Sequence, residues 1–332
     1  MAKRAKILGT GHYVPPKVVT NQDLEKRMDT TDEWIQQRTG IQERRWVEGE
    51  VGSADLAVPA AEAAIKAAGL EPKDIDAIIF ATLSPDLNFP GSGCLLNDRL
   101  GINGVPSLDI RNQCSAFPYG LEIADAFIRG GVYRHVLLVG AEVHSTGLDV
   151  STAGRDVAVI FGDGAGAVVL GPSDVESEGV LTTIVGADGR FARELWTELP
   201  GSRCQPRITA QGLEEGRHYP KMNGREVFKH ASRKMPELVR QALSRCGLTT
   251  NDIDLLIPHQ ANLRISEMVQ RALELPDDRV FNNIMRYGNT TAASIPIAID
   301  ECVRSGRLKA GDLLAVTAFG AGFTWGAALI RV

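Results

Sequence analysis

Residues 63–80 read AAIKAAGLEPKDIDAIIF, and residues 241–258 read QALSRCGLTTNDIDLLIP. Each stretch carries the end of a helical pattern, a Gly-Leu pair, a short polar turn, Asp-Ile-Asp and an apolar run. A Gly directly after helical periodicity is a helix stop, and a short apolar run bounded by turns suits a strand buried on both faces. The two stretches therefore predict the same helix–turn–strand unit twice. Working outward, residues 54–69 are an Ala-rich helix leading to a strand over 75–82. Residues 226–246 place Phe228, Ala231, Met235, Leu238, Ala242 and Cys246 on one stripe, ahead of a strand over 253–257. Pro236 is expected to kink or break that second helix. The likeness continues between AFIRGGVYRHVLLVGAEV (126–143) and ECVRSGRLKAGDLLAVTA (301–318). Each half then closes on a strand of small residues, GAGAVVLG (164–171) and GAALIRV (326–332). These patterns predict an α/β protein made by internal duplication, with halves over 1–173 and 174–332 and a pseudo-twofold axis between them. A site is expected at their junction. Residues 188–224 are polar, carry Gly and Pro and lack periodicity, which fits either a lid or a surface insertion.

The 332 residues are 44% hydrophobic and 23% charged, values of a soluble globular chain. With 36 Lys and Arg against 41 Asp and Glu, the net charge of −5 excludes a general nucleic-acid binder, so any acidic partner must meet a local basic patch. The five cysteines form no CxxC pair and no cluster with His at zinc spacing, which argues against a disulfide framework and against a metal. The start, MAKRAKILGTGHYVPP, lacks the apolar core of a signal peptide, and no run of membrane-spanning length follows. A reducing, cytoplasmic setting with free thiols is expected.

The chemistry centres on DIRNQCSAF, residues 109–117, where a strand runs into Cys114 and a helix begins near Pro118. A helix N-terminus can stabilise a thiolate and activate the sulfur. Alternatively, Cys114 is a small buried hydrophobe, as Cys94, Cys246 and Cys302 are expected to be from their helical patterns. Two polar breaks in the second half supply partners for a nucleophile. His259 follows the strand in His-Gln-Ala-Asn, and Asn289 precedes a helix over 292–305, at the expected counterpart of the Cys114 junction. His135, His144, His218 and His230 lack such a setting. AFGAGFTWG, residues 318–326, could bring a backbone N–H to a reacting carbonyl or be a packing turn. The phosphate-loop, GxSxG and HExxH patterns are absent, and GDGAG (162–166) precedes a strand, unlike a dinucleotide fingerprint.

At these residues the sequence strongly resembles the β-ketoacyl-acyl carrier protein synthases of type III, condensing enzymes of the thiolase fold. The likeness is nearly full length and rests on TDEWIQQRTGI, the cysteine segment, IFGDGAGA, KMNGREVFK, PHQANLRI, YGNTTAASIP and FGAGFTWGAAL. It implies a five-layered αβαβα fold, a homodimer, and Cys114, His259 and Asn289 as catalytic residues. In the mechanism it implies, Cys114 takes an acyl group from acyl-CoA, and His259 and Asn289 stabilise the enolate formed when malonyl carrier protein loses carbon dioxide. Backbone N–H groups of Cys114 and Ala321 would form the oxyanion hole, and no cofactor is needed. The resemblance places Trp34 and Arg155 on either side of the CoA adenine. Arg38, Met222, Gly224, Asn262 and Arg264 would line the CoA tunnel, and Lys229, Arg264 and Arg271 would receive the acidic carrier protein. Phe89 would close the acyl pocket from a neighbouring subunit, and its bulk suggests a short starter. In the related head-to-head hydrocarbon-forming enzymes that position carries a Glu used as a base, and its absence here counts against them. Departures lie in Ser115 and Ala116 after the cysteine, in the polar pair Asn112-Gln113 before it, and in the long 188–224 segment; these bear on chain preference. The alternatives are a paralogue serving a polyketide or other secondary pathway, a medium-chain enzyme, or a silent carrier-protein-binding subunit. The intact Cys, His and Asn set counts against the last.

Overall fold

The computed structural model describes residues 3–332, so the first two residues of the basic start lie outside it. One sheet contains β1 (Ala5–Tyr13), β2 (Ala77–Ala81), β3 (Ser107–Ile110), β4 (Val136–Glu142) and β5 (Gly164–Pro172), in spatial order β1-β5-β4-β2-β3. A second contains β6 (Gly179–Ala187), β7 (Leu255–Pro258), β8 (Leu313–Gly320) and β9 (Thr324–Arg331), in order β6-β9-β8-β7. The two sheets share one plan. In the first, β5 runs antiparallel to β1 and β4, while β4 is parallel to β2. In the second, β9 runs antiparallel to β6 and β8, while β8 is parallel to β7. Only β3, added at the edge beyond β2, has no counterpart.

Five helices complete the layers: α1 (Ser53–Ala67), α2 (Ala116–Arg129), α3 (Gly224–Arg245), α4 (Leu263–Leu273) and α5 (Ser294–Arg304). Helices α2 and α5 fill the middle, where Phe117, Leu121, Ile295 and Ile299 share a core with Leu138 and Val168 of one sheet and Leu314 and Val316 of the other. Helix α1 covers the outer face of the first sheet, setting Leu56, Ala60 and Ala64 against Phe80, Leu137 and Val139. Helices α3 and α4 cover the second, setting Met235, Leu238 and Val269 against Leu256, Leu313 and Ala315. Because helices lie on both faces, β4 and β8 are buried along their whole length, which is why they read as continuous apolar runs.

Three expectations need correction or sharpening. Helix α3 passes through Pro236 without a break. The lost backbone bond is local, whereas Met235, Leu238 and Val239 on either side of it are buried in the core of the second sheet, each worth about 1.5–3 kcal/mol. Cys94 is exposed, because the buried face of its helix, Ser92–Arg99, is made by Ser92, Gly93, Leu96 and Asn97; Cys302 is buried and Cys246 is partly so. Residues 188–224 are ordered as an excursion, in which Leu195–Trp196 pairs antiparallel with Lys221–Met222 and a short helix, Ala210–Glu214, lies between. Among the described residues no helix is long and apolar enough to cross a membrane.

Candidate active site

Two sharp turns start the two middle helices. Gln113–Ser115 joins β3 to α2, and Thr291–Ala293 leads into α5. Gln113 and Thr291 each have φ 47°, in the left-handed region, and the residues before them, Asn112 and Thr290, share nearly the same backbone angles. The positive-φ residue sets the register of the repeat, so the counterpart of Cys114 is Ala292. Asn289, expected at that place, instead matches Arg111, three residues upstream of the sulfur position. The backbone approaches closely at both turns. A Cβ on Gly140 of β4 would lie 2.2 Å from the Ala292 carbonyl oxygen, and one on Gly320 would lie 2.7 Å from Cys114 Cβ. Gly320→Ala is therefore expected to lower stability by about 1–3 kcal/mol through overpacking and to slow acylation of Cys114. A thermal melt alongside intact-mass acylation checks this; parent behaviour in both would show that the turn can give way.

Cys114 is buried, and its own N–H, the Ala321 N–H and the Thr291 hydroxyl are the neighbouring groups that favour its thiolate. Burial nevertheless dominates, helped by the negative charge of Glu142, and the thiol is pushed up to about 12. Of the two settings read from sequence for Cys114, an activating helix N-terminus and a small buried hydrophobe, the structure shows both the burial and the N–H groups. In the closed site, loss of water outweighs the donors, and the resting sulfur is a thiol. Ala321 is not among the residues with positive φ, so its Cβ costs no backbone strain where its N–H reaches the sulfur.

His259 ends β7, and its N–H donates to the Thr317 carbonyl of the neighbouring strand at 2.8 Å. Its Nδ1 is 2.7 Å from Ser294 Oγ at the start of α5, while Nε2 is buried without a partner. Burial pushes this imidazole down to about 3, so it is neutral. If Ser294 donates to Nδ1, the ring proton sits on Nε2 and that buried, unpartnered atom becomes a hydrogen-bond donor. Asn289 is held at both backbone groups, its N–H donating to Ile160 O and its carbonyl accepting from Gly162 N–H. Its Oδ1 accepts from Thr291 N–H at 2.8 Å, which leaves the amide nitrogen as the group it offers. Ser294, Thr291 and Glu142 were not singled out from sequence. They lie inside quoted segments but carry no spacing that marks chemistry. Glu142 is fully buried and accepts from Thr82 and Ser84 hydroxyls and from the N–H groups of Leu83, Ser84 and Ala292. It ties the loop that carries Phe89 to the turn that carries Thr291.

The CoA candidates gather around the helix Asp32–Thr39. Arg38 and Arg155 both lie over the Trp34 ring, at 4.3 and 4.9 Å from its centroid. A flat ring between Trp34 and Arg155 needs about 7 Å, two stacking contacts. The expected slot is therefore closed, with Arg155 held by a hydrogen bond to the Asp29 carbonyl and by the charges of Asp29 and Asp156. Asn262 caps α4 by accepting from Arg264 N–H and donates its amide to Arg38 O at 2.8 Å, joining the two helices. Met222 packs with Trp34 and Leu263 in one apolar cluster, and Gly224 opens α3. Arg264 stacks on Phe228 at 5.5 Å and has no carboxylate within 4 Å among the described residues. Lys229 pairs with Glu226, and Arg271 lies 4.0 Å from Glu267, so Arg264 is the free cation of the three. Phe89 is 83% exposed and lines nothing within its own chain.

Residues 108–189 match the family 3-oxoacyl-[acyl-carrier-protein (ACP)] synthase III, and residues 243–332 match its C-terminal counterpart. A β-ketoacyl-[acyl-carrier-protein] synthase III of Caldanaerobacter subterraneus is 46% identical over 328 residues, 98% of this chain and 97% of that protein. The chain belongs to the β-ketoacyl-[acyl-carrier-protein] synthase III family. The solved structure of the Aquifex aeolicus 3-oxoacyl-[acyl-carrier-protein] synthase III has 44% identity and a TM-score of 0.90, covering 99% of this synthase and all of that chain. The priming β-ketosynthase of the R1128 polyketide pathway is also similar, with 33% identity, a TM-score of 0.90 and coverage of 99% and 97%. The fold is that of the thiolase-like condensing enzymes, and the synthase is an acyltransferase of that type, working without a cofactor.

Proposed function

We propose that the synthase performs the initiating decarboxylative condensation of fatty acid synthesis, joining an acyl-CoA starter to malonyl-acyl carrier protein through an acyl-Cys114 intermediate. The observation that carries this reading is the buried Cys114, whose thiolate its own N–H and the Ala321 N–H favour, with a His259 Nε2 that is buried and unpartnered. Two backbone N–H groups at the nucleophile suit the oxyanion that forms when Cys114 attacks a thioester. CoA then leaves with the proton of the thiol. His259 and Asn289 offer N–H groups to the malonyl thioester oxygen, stabilising the enolate left by carbon dioxide, and its carbon attacks the acyl group. A neutral His259 suits this role, since it donates without first needing a proton from water. Arg264, the unpaired cation, is the natural contact for an acidic carrier protein, with Lys229 and Arg271 beside it. Trp34, Arg38 and Arg155 suit the flat and phosphorylated parts of CoA once Arg155 swings off the ring, with Met222, Gly224 and Asn262 along the way. In this reading residues 1–173 supply the nucleophile, and residues 174–332, with 188–224 as the lid, supply His259 and Asn289.

The working unit is proposed to be a cytoplasmic homodimer. Leu87, Phe89 and Leu108 are exposed large apolar residues, and Leu108 lies on β3, an unpaired sheet edge. Across a dimer Phe89 would cap the partner's acyl pocket and favour a short starter. Phe89→Thr is then expected to raise kcat/KM for octanoyl-CoA relative to acetyl-CoA, each added buried methylene being worth about 0.8 kcal/mol. An unchanged ratio would show that Phe89 is not the gate. A polyketide or other secondary pathway is the second reading, favoured by the likeness to the R1128 priming enzyme. Mass spectrometry of Cys114 after a panel of acyl-CoAs, followed by malonyl-loaded carrier proteins of both kinds of pathway, tests the function and separates the two.

A further inference from the structure

His144 follows β4 and is fixed on several sides. Its N–H donates to Asp163 Oδ1 at 2.7 Å, its ring lies 4.6 Å from the Phe161 ring, and its Nε2 is 2.8 Å from Thr291 Oγ1. Thr291, in turn, holds Asn289 Oδ1 through its N–H, and its turn, Thr291–Ala293, packs against the Gln113–Ser115 turn that carries Cys114. A β-branched residue at φ 47° is a backbone outlier, and such outliers persist where the surrounding structure over-determines them. The turn thus keeps a strained Thr whose hydroxyl meets an imidazole beside the turn that carries Cys114.

We propose that His144 and Thr291 are positioning residues for the acylation half-reaction: His144 Nε2–H donates to Thr291 Oγ1, so that the Thr291 O–H is aimed at Cys114 Sγ and stabilises the thiolate as it forms. This rests on the reading of Cys114 as nucleophile. The direction of the chain follows from valence. A hydroxyl that gives its hydrogen to the sulfur must accept its other bond, and a neutral imidazole protonated at Nε2 supplies one. Burial keeps His144 neutral, so no proton is exchanged along the chain. In the step itself, the sulfur–acyl bond forms, the acyl–CoA sulfur bond breaks, and the thiol proton leaves on CoA. His144 and Thr291 gain and lose nothing. The other ionisable groups at the site cannot substitute: Glu142 opposes the thiolate by its charge, and His259 is neutral and directed to Ser294.

The test uses the whole enzyme and two readouts assigned to Cys114 by intact mass and peptide mapping: iodoacetamide alkylation rate across about pH 7–10, and acylation by acetyl-CoA. Thr291→Val is expected to lower the alkylation rate about tenfold at every pH below the thiol midpoint, equivalent to one pH unit, and to slow acylation by a similar factor. Thr291→Ser should restore both. His144→Leu should move both in the same direction, and His144→Gln, which keeps an N–H near the Nε2 position, should recover part of the loss. Alkylation and acylation at parent rates in both folded Thr291→Val and His144→Leu overturn the proposal. If Thr291→Val fails to fold, the comparison of His144→Leu with His144→Gln decides alone, and equal rates in those two overturn it. A parent enzyme that acetyl-CoA labels elsewhere than Cys114 would instead sink the nucleophile reading, which keeps the two failures apart.

Discussion

Cys114→Ser is expected to abolish acyl transfer from acyl-CoA to the protein, slowing it by about a thousandfold or more. The reason lies in what surrounds the sulfur. Its own N–H, the Ala321 N–H and the Thr291 hydroxyl favour its anion, but no free base stands beside it. His144 and His259 are pushed down to about 3 by burial, and Glu142, though burial pushes it up to about 7, has both oxygens engaged by five donors from Thr82, Leu83, Ser84 and Ala292. A thiol pushed up to about 12 can still ionise as the donor carbonyl approaches, because the donors are already aimed. A Ser hydroxyl is a far weaker acid and would need a base that this site lacks. Intact-mass analysis after incubation with acetyl-CoA reads the result directly. Stoichiometric labelling of the variant at another residue would remove Cys114 from the nucleophile role.

His259→Ala and Asn289→Ala should divide the reaction differently. Each is expected to slow decarboxylation and condensation of malonyl carrier protein by about 10²–10³-fold, the usual loss for one oxyanion donor, while acylation of Cys114 stays within about tenfold of parent. His259 offers a buried, unpartnered Nε2 and Asn289 offers an amide whose oxygen is already held by Thr291, so each loss removes one aimed donor. The direction of the His259 shift adds a pH signature. An imidazole pushed down to about 3 stays neutral through the physiological range, so the parent decarboxylation profile should show no His259 limb near the ordinary imidazole value of about 6.5. Half-reaction rates measured separately, with the pH profile of decarboxylation, check both parts. Variants that decarboxylate at the parent rate would exclude the pair from enolate stabilisation.

Much of this protein is written locally. The repeated GL–turn–DID pattern shows two copies of one unit, because helix stops, polar turns and doubly buried strands each have a short-range signature; the shared strand plan of the two sheets is that pattern in space. Cys114 at a strand-to-helix junction was equally legible, since the position depends only on where one element ends and the next begins. Other features were not. Pro236 does not break α3, because burial against the second sheet outweighs one missing hydrogen bond. Cys94 faces out although its pattern is helical, because periodicity marks a face and only the packed neighbour says which face is covered. The repeat register at the two turns differs by three residues from the one expected for Asn289, because the positive φ of Gln113 and Thr291 leaves no mark in their residue types.

The sequence by itself determined the duplicated α/β architecture, the junction that bears the cysteine, and through the motif resemblance the class of chemistry. Tertiary structure decided how that junction behaves. Burial, summed over every neighbour, makes the sulfur at that junction a resting thiol. The approach of Gly140 and Gly320 to within van der Waals range of the opposing turns brought residues from opposite ends of the chain to one sulfur. His144 became a neighbour of the site for the same reason. Its partner Thr291 lies 147 residues away in the chain, and only the stacking of two sheets on shared helices places them 2.8 Å apart.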